Sequence, residues 1–520
     1  MTQRATDTGT LPPASATTLT DTVATGSGWA TGQAAANKVA TALGMYLVAR
    51  LLSPESIGMA SLALSIGGLL VIFPPLVMGD VLIARRRHGS SISSNGGSVA
   101  VKFSLVTAAC IAVLALPIAS AYSNYPTIPL VGLLALIALR PTSEAFAVNS
   151  LTALRGKFQY RTVALVDGGV QLASTVLTVV LAAVGAGATS MVLPQVAGSM
   201  ARSACYWFAT GAKYQRPLDE PVKPQPRLVR EFMTASVAQY VHNAVFALPL
   251  LALGYFAGQS ETGFYSFAFM LATQATVVIG AQLVVVLQPV FGHLHEEPDR
   301  RDRAFMRVVA MVSAVSVPIA LLQAALAGPL FSLLFAPKWN GSLAPFIVLS
   351  MSQAFYFGIS PTIALLKAQG HFRAFFAWQA VHFVVAAIAY SMAASLGGAI
   401  AVAISDLAIW AISAPFAMWL STRQTHVSAL RCIKTFVLPW VTAAPICASV
   451  WLGSNSLAQY GSGGNVVSIF VLGPVGLAVA LWAVRITQPA THAELSSLAT
   501  RAARALARRV RRPTSEHHRL

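Results

Sequence analysis

The sequence predicts an all-α integral membrane protein: about fourteen transmembrane helices, built as two six-helix lobes related by a parallel pseudo-repeat, plus two C-terminal helices. Three observations predict it. Of the 520 residues, 56% are hydrophobic and only 10% charged, with mean hydropathy +0.66. A soluble protein carries roughly 25% charged residues. Apolar runs of about 20 residues, each long enough to cross a hydrocarbon core about 30 Å thick, recur from end to end. Lysine and arginine collect in every second loop between those runs.

Residues 1–26 are rich in Thr, Ala and Ser. They lack the basic, apolar, small-residue layout of a cleaved signal peptide and are expected to be a flexible cytoplasmic tail. The first lobe, 27–211, holds the spans Ser27–Leu51, Ile57–Ile83, Val99–Ala121, Ile128–Leu154, Thr162–Val184 and Met191–Gly211. A tight elbow, Arg50 to Gly58, makes the first two spans a hairpin. Residues 212–231 contain Pro217, Pro221, Pro224 and Pro226 and read as a stiff cytoplasmic linker. The second lobe, 232–421, holds Phe232–Phe256, Gly263–Phe291, Phe305–Leu326, Leu343–Leu366, Phe372–Leu396 and Ala399–Leu420. Two additional spans, Lys434–Leu452 and Val466–Val484, occupy 434–484. In the tail, 485–520, Leu495, Leu498, Ala502, Leu506 and Val510 recur at roughly helical spacing among six arginines. It reads as a basic amphipathic helix on the anionic inner leaflet, or else as a solvated basic tail.

Orientation follows from the loops and first turns after each span. Those after even-numbered spans carry 21 Lys and Arg, and those after odd-numbered spans carry two, Arg50 and Lys338. Positive charge stays on the cytoplasmic side, so both termini are placed there, in a cell inner membrane. The same alternation argues that the formal charge of +18 marks topology and not a nucleic-acid face. The four cysteines lie in or beside apolar runs without disulfide or zinc-ligand spacing. No catalytic residue, cofactor or metal site is expected. The outer loops are too short to fold into a domain, so function is expected among the helices.

A weak repeat supports the two lobes. The elbow segment from Glu55 to Ala63 resembles Glu261 to Ala268, and Gly156-Lys157-Phe158 resembles Gly370-His371-Phe372, at offsets of about 205 and 214 residues. Parallel repeats of this kind place a transport path between two halves.

Ionisable residues at bilayer depth cost about 2.5–3.5 kcal/mol on insertion scales, so each needs a reason. Lys38, Arg140 and Arg202 fall at one depth, roughly 16–20 Å below the outer surface. Glu144, at i+4 from Arg140, is the one acid expected near them. A net positive interior suits an anionic head group such as a diphosphate, which arginine grips bidentately. The competing reading is an Arg140–Glu144 ion pair with Lys38 and Arg202 bonded to carbonyls. Asp80 and Asp167 lie near the cytoplasmic ends of their spans and, with Arg155, Lys157 and Arg161, are expected to form the inward mouth. His242 and His382 lie near mid-depth in the second lobe. Either can carry a coupling proton or be a neutral packing residue. Asp406 has no assigned role. Gln239, Asn243, Gln274, Gln282, Gln353, Tyr356 and Gln379 form either a polar lining for sugar hydroxyls or interhelical hydrogen bonds.

At this point a resemblance emerges. The elbow Arg50 to Gly58, with Met78-Gly79 before the basic stop, resembles the R-x-L-x-P-x-x-x-G opening of bacterial polysaccharide flippases. Leu154 to Phe158 resembles their basic-plus-Phe exit from the fourth span, and Gly263 to Ala268 their G-x-Y-x-x-A. Pro289-Val290-Phe291 is similar to their P-x-F, and Pro337-Lys338-Trp339 to their P-x-W. The order and spacing of these matches, from about Gly26 to Leu420, carry the likeness. It implies the polysaccharide (O-antigen) flippase branch of the multidrug/oligosaccharidyl-lipid/polysaccharide exporter superfamily. The substrate so implied is an undecaprenyl-diphosphate-linked oligosaccharide, moved from the inner to the outer leaflet by alternating access in exopolysaccharide, capsule or O-antigen biosynthesis. Partners so implied are the lipid bilayer and a polysaccharide polymerase with export machinery. The alternatives are a drug antiporter of the same superfamily, which would favour acids at the midplane, and a glycan polymerase or ligase, which needs a large outer loop. A channel or scaffold is a further alternative.

Overall fold

The computed structural model describes residues 37, 40–75, 77–79, 95–156, 159–210, 226–274, 291, 294, 297–335, 337–369, 371–423, 425–489, 491, 493 and 496. Among these there is no strand. The helices run in the order Ala40–Leu51, Pro54–Leu70, Asn95–Ala121, Thr127–Gly156, Tyr160–Ala183, Thr189–Thr210, Pro226–Phe256, a helical run at 259–274, Pro298–Ala325, Ala327–Leu334, Asn340–Gly358, Ser360–Ala368, Phe372–Thr422, Ala429–Ala458, Gly461–Val467 and Gly473–Thr487. Among the described residues, eight helical stretches are long and apolar enough to cross a membrane. The chain is an all-α, multi-pass membrane protein. Parts of the first, second and eighth expected spans, most of the proline-rich linker and most of the basic tail lie outside the described residues.

Local sequence explains the interruptions. Residues 372–422 form one helical stretch bent at Gly397 and Gly398, where the expected eleventh span gives way to the twelfth. Gly398 has φ +59 and ψ −144, a region open in practice only to glycine. The Glu261 carboxylate accepts the Ala399 N–H at 2.7 Å, satisfying an amide that the bend frees. A π-helical turn at Ser468–Leu472 interrupts the last span. Several helices outrun the expected spans: Tyr160 replaces Thr162 as a start, Pro226 replaces Phe232, and Ala429–Ala458 extends Lys434–Leu452 at both ends. A short helix, Ala327–Leu334, fills what the sequence suggested was plain loop.

The chain divides into two compact units. The first comprises Met1–Leu51, Ile66–Ser120 and Thr127–Tyr240. Its described core gathers Met78, Ala100, Ala145, Val148 and Phe232 in one cluster and Ala147, Leu151, Leu154 and Tyr206 in another. A hydroxyl seam joins Thr127–Gly156 to Thr189–Thr210. Ser143 and Ser199 share a hydrogen bond of 2.5 Å, Ser203 donates to the Ser143 carbonyl at 2.5 Å, and Thr210 donates to Ser150 at 3.0 Å. Small residues of this kind let backbones approach where lipid supplies no hydrophobic drive between helices.

The second unit comprises Leu52–Ser65, Ala121–Pro126 and Val241–Leu520. Its cores are aromatic-rich. Phe291, Phe305 and Phe436 pack in one, and Phe375, Trp378 and Trp410 in another. The elbow at 52–65 and the turn at 121–126 are early in the chain yet belong to this unit.

Candidate functional site

In the first unit, the seam sets two arginines on facing helices. Arg140 precedes Pro141 in Thr127–Gly156, and its Nε donates to Glu144 Oε1 at 2.8 Å. Its Nη1 donates to Gln195 Oε1 at 3.4 Å. The Arg140 side chain is 44% exposed and that of Glu144 16%. Most of the five N–H donors on the Arg140 guanidinium therefore remain open to an anion.

Arg202 differs. Its Nε lies 3.0 Å from Asp167 Oδ1, with the two side chains 33% and 39% exposed. The expectation that Glu144 is the one acid near the cations is thus corrected. Asp167, expected at the cytoplasmic mouth, is paired with Arg202. The physical reason is that Tyr160–Ala183 packs along Thr189–Thr210, which brings the half-exposed Asp167 side chain to Arg202. Arg155 and Arg161 flank residues 157–158 on two successive helices. Lys38, Asp80 and Lys157 lie outside the described residues. The two ion pairs balance their own charges, and Arg155, which shares the surroundings of Tyr206 with Asp167 and Arg202, adds a third guanidinium.

In the second unit, His382 is buried, with Nδ1 3.0 Å from Ser413 Oγ, which also accepts the Trp378 indole N–H at 3.0 Å. Gln353 and Gln379 are buried, and Tyr356 packs its ring edge-on against Phe246 and Trp410. Asn243 is exposed on its helix. The side chains of Gln239 and His242, and all of Gln282, lie outside the described residues. Asp406, to which the sequence assigned no role, accepts from Tyr390 at 2.7 Å and from Ser352 at 2.5 Å. Those partners come from two other helical segments, and only an acid without a nearby base was visible in the sequence.

The elbow builds a clasp within the second unit. Ser61 and Ser266 share a 2.6 Å hydrogen bond, and Ser260 donates to Glu55 at 2.7 Å. Both pairs are separated by 205 residues, the offset of the sequence repeat, as are Gly58 and Gly263. Equivalent positions of the two similar segments therefore meet one another. A Cβ at Gly58 would overlap the Gln259 carbonyl, and one at Gly263 the Pro54 carbonyl. Tyr125 donates to Thr262 at 2.9 Å, and Gln259 donates to the Asn124 carbonyl at 2.9 Å. Lys338 donates to the Leu52 carbonyl at 2.7 Å, while its neighbour Trp339 is fully buried against Phe267. The Ser260 hydroxyl holds the Glu55 carboxyl below the ordinary carboxylate range, and burial pushes the Tyr125 phenol up.

Comparison with known proteins places this geometry. The succinoglycan biosynthesis transport protein ExoT of Rhizobium meliloti (strain 1021) is 23% identical over 367 residues, covering 70% of this chain and 72% of ExoT. Among solved structures, the lipid II flippase MurJ in an inward closed conformation superposes with TM-score 0.67 at 12% identity, covering 87% of this chain and 98% of MurJ. The Vibrio cholerae MATE transporter VcmN superposes with TM-score 0.52 at 12% identity, covering 81% and 99%. These likenesses establish the fold, that of membrane transporters. The model of the polysaccharide biosynthesis protein family matches residues 47–344, more than half of the sequence and the whole of the clasp, and the chain belongs to that family.

Proposed function

We propose that this protein is a lipid-linked oligosaccharide flippase. It carries undecaprenyl-diphosphate-linked repeat units from the inner to the outer leaflet of the cytoplasmic membrane, with both termini cytoplasmic. The observation that carries this reading is Arg140. A half-exposed guanidinium at span mid-depth, only partly satisfied by Glu144 and Gln195, is a ready partner for a diphosphate in a chain of this family. Lys38 and Arg202 are proposed to assist, the latter after exchanging Asp167 for substrate oxygens. The lipid tail stays in the bilayer, where it costs nothing to desolvate.

Alternating access requires the clasp to part and re-form. Its bonds suit that role. Each hydroxyl or carboxylate partner regains water on opening, so each hydrogen bond contributes only about 0.5–1.5 kcal/mol net. The clasp is therefore a latch of several weak bonds and two glycine contacts, and substrate binding can overcome it. The names of ExoT and MurJ, a transport protein of succinoglycan biosynthesis and a lipid II flippase, support the substrate class. Arg140→Gln tests the reading in cells. Correctly inserted protein should lose most glycan export, and full export would count against it.

A further inference from the structure

We infer that Asp406 is a proton-binding site enclosed in the second unit. Asp406 is 5% exposed. Both carboxyl oxygens accept from hydroxyls, Tyr390 on Oδ1 and Ser352 on Oδ2. Beside them is a cavity of about 20 Å³, walled by Tyr265, Phe246, Pro249, Leu250, Phe269 and Trp410. That is room for one water molecule. The Tyr265 hydroxyl, on a residue 2% exposed, lines the same cavity and has no hydrogen-bond partner. The polar groups facing Asp406 are therefore Tyr265 from the run at 259–274, Tyr390 from the first half of Phe372–Thr422, Ser352 from Asn340–Gly358, and the Trp410 indole N–H one turn further along its own helix. Pro226–Phe256 contributes only Val245, Phe246, Pro249 and Leu250. His382 packs against the Trp410 ring, with centroids 4.6 Å apart, and lies two helical turns from Tyr390. Among the described residues no cation pairs with Asp406.

A carboxylate in such a cage keeps a net charge in a low-dielectric interior, and one added proton removes it. The proton binds a carboxyl oxygen, and the acid O–H then donates, through a single water in the cavity, to the Tyr265 hydroxyl that is otherwise unspent. Release of the proton to solvent leaves the carboxylate, which needs hydration that the closed cavity does not supply. Protonation thus favours the closed arrangement of the four helical segments, and deprotonation favours an opened, hydrated one. A difference in proton affinity between two arrangements is what a coupled transporter needs. The link to transport rests on the flippase reading; the proton site itself does not.

Infrared difference spectroscopy on the purified full-length protein in lipid nanodiscs, stepped in pH, tests the site. Wild type should show a protonated-carboxyl C=O band that titrates, shifts in heavy water and is lost in Asp406→Asn. Tyr265→Phe, which removes one hydroxyl and keeps the ring, should retain the band and lower its midpoint by about half to one pH unit. A band unchanged in Asp406→Asn, a midpoint unmoved in Tyr265→Phe, or a response to sodium without one to pH would each overturn the proposal. In cells, Asp406→Asn should abolish the dependence of export on the proton gradient, and retained dependence would overturn the link to transport. If Arg140→Gln exports normally while the Asp406 band behaves as expected, the flippase reading fails and the proton site stands.

Discussion

Replacing Gly263 by alanine should open the clasp, which the proposed orientation puts on the outer side. The added Cβ would overlap the Pro54 carbonyl, a backbone atom that cannot swing aside. The segments carrying Pro54 and Gly263 must separate, straining the Ser61–Ser266 and Glu55–Ser260 hydrogen bonds. Overpacking at a tight contact costs about 1–3 kcal/mol. That cost falls on the closed clasp alone, so it shifts the closed-to-open ratio by about 5- to 150-fold toward open. A Ser266→Cys reporter, modified by a membrane-impermeant maleimide added outside intact cells, measures the opening. Ser266 is buried when the clasp is closed, so labelling should be slow in the parent and several-fold faster with Gly263→Ala. Ser260→Ala, which removes the Glu55–Ser260 hydrogen bond and adds no bulk, should give a smaller increase. Labelling that does not change with Gly263→Ala would refute the inference that the repeat-related contact is a movable closure.

Three more outcomes follow from the geometry. Because Glu55 has its folded-state carboxyl value lowered from 4.5, its contribution is fully present above that value and is lost as pH falls through the lowered one. Clasp closure should therefore be flat through neutral pH and weaken only in acid, and Glu55→Gln should remove that acid dependence from the Ser266→Cys labelling rate. Asp167→Asn or Arg202→Gln alone should lower thermal stability in detergent, while the double variant recovers part of the loss. The pair is about one-third exposed, so the double-mutant coupling should be about 1 kcal/mol, and zero coupling would argue against the ion pair. Gly398→Ala should destabilise the fold by about 1–3 kcal/mol, since φ +59 and ψ −144 are strained for alanine and its Cβ would meet the Glu261 carboxylate. A melting curve unchanged from wild type would contradict it.

The sequence reveals what one helix decides by itself. Apolar length and the Gly397-Gly398 pair announced two spans and the corner between them, and that corner is where the helix bends. The elbow announced the first hairpin. It also announced its own repeat, through the offset of 205 residues. What the repeat did not say is that Ser61 and Ser266 touch, because similarity at an offset carries no distance. Lys338 looked like a lone outer charge; its bond to the Leu52 carbonyl spans 286 residues of chain. The pairing of Asp167 with Arg202 is not legible in the sequence, because it depends on how Tyr160–Ala183 packs against Thr189–Thr210. Arg301 was counted only as a cytoplasmic charge. It is buried against Asp302, whose carboxylate also accepts the His426 N–H at 2.8 Å. Asp406 stood out as an acid in an apolar run. Its cage of Ser352, Tyr390 and Tyr265 could be found only once their helices had been packed together.

The central claim is that this chain moves a lipid-diphosphate sugar across a bilayer, with Arg140 engaging the diphosphate. The direct measurement is flipping in proteoliposomes loaded with a fluorescent undecaprenyl-diphosphate oligosaccharide, scored by the fraction that an impermeant quencher reaches over time. Wild type should transfer label well above protein-free vesicles, and Arg140→Gln should slow transfer by about tenfold or more, the loss of a charge-assisted hydrogen-bonded contact. Transfer no faster than in empty vesicles, or equal rates for wild type and Arg140→Gln, would contradict the account.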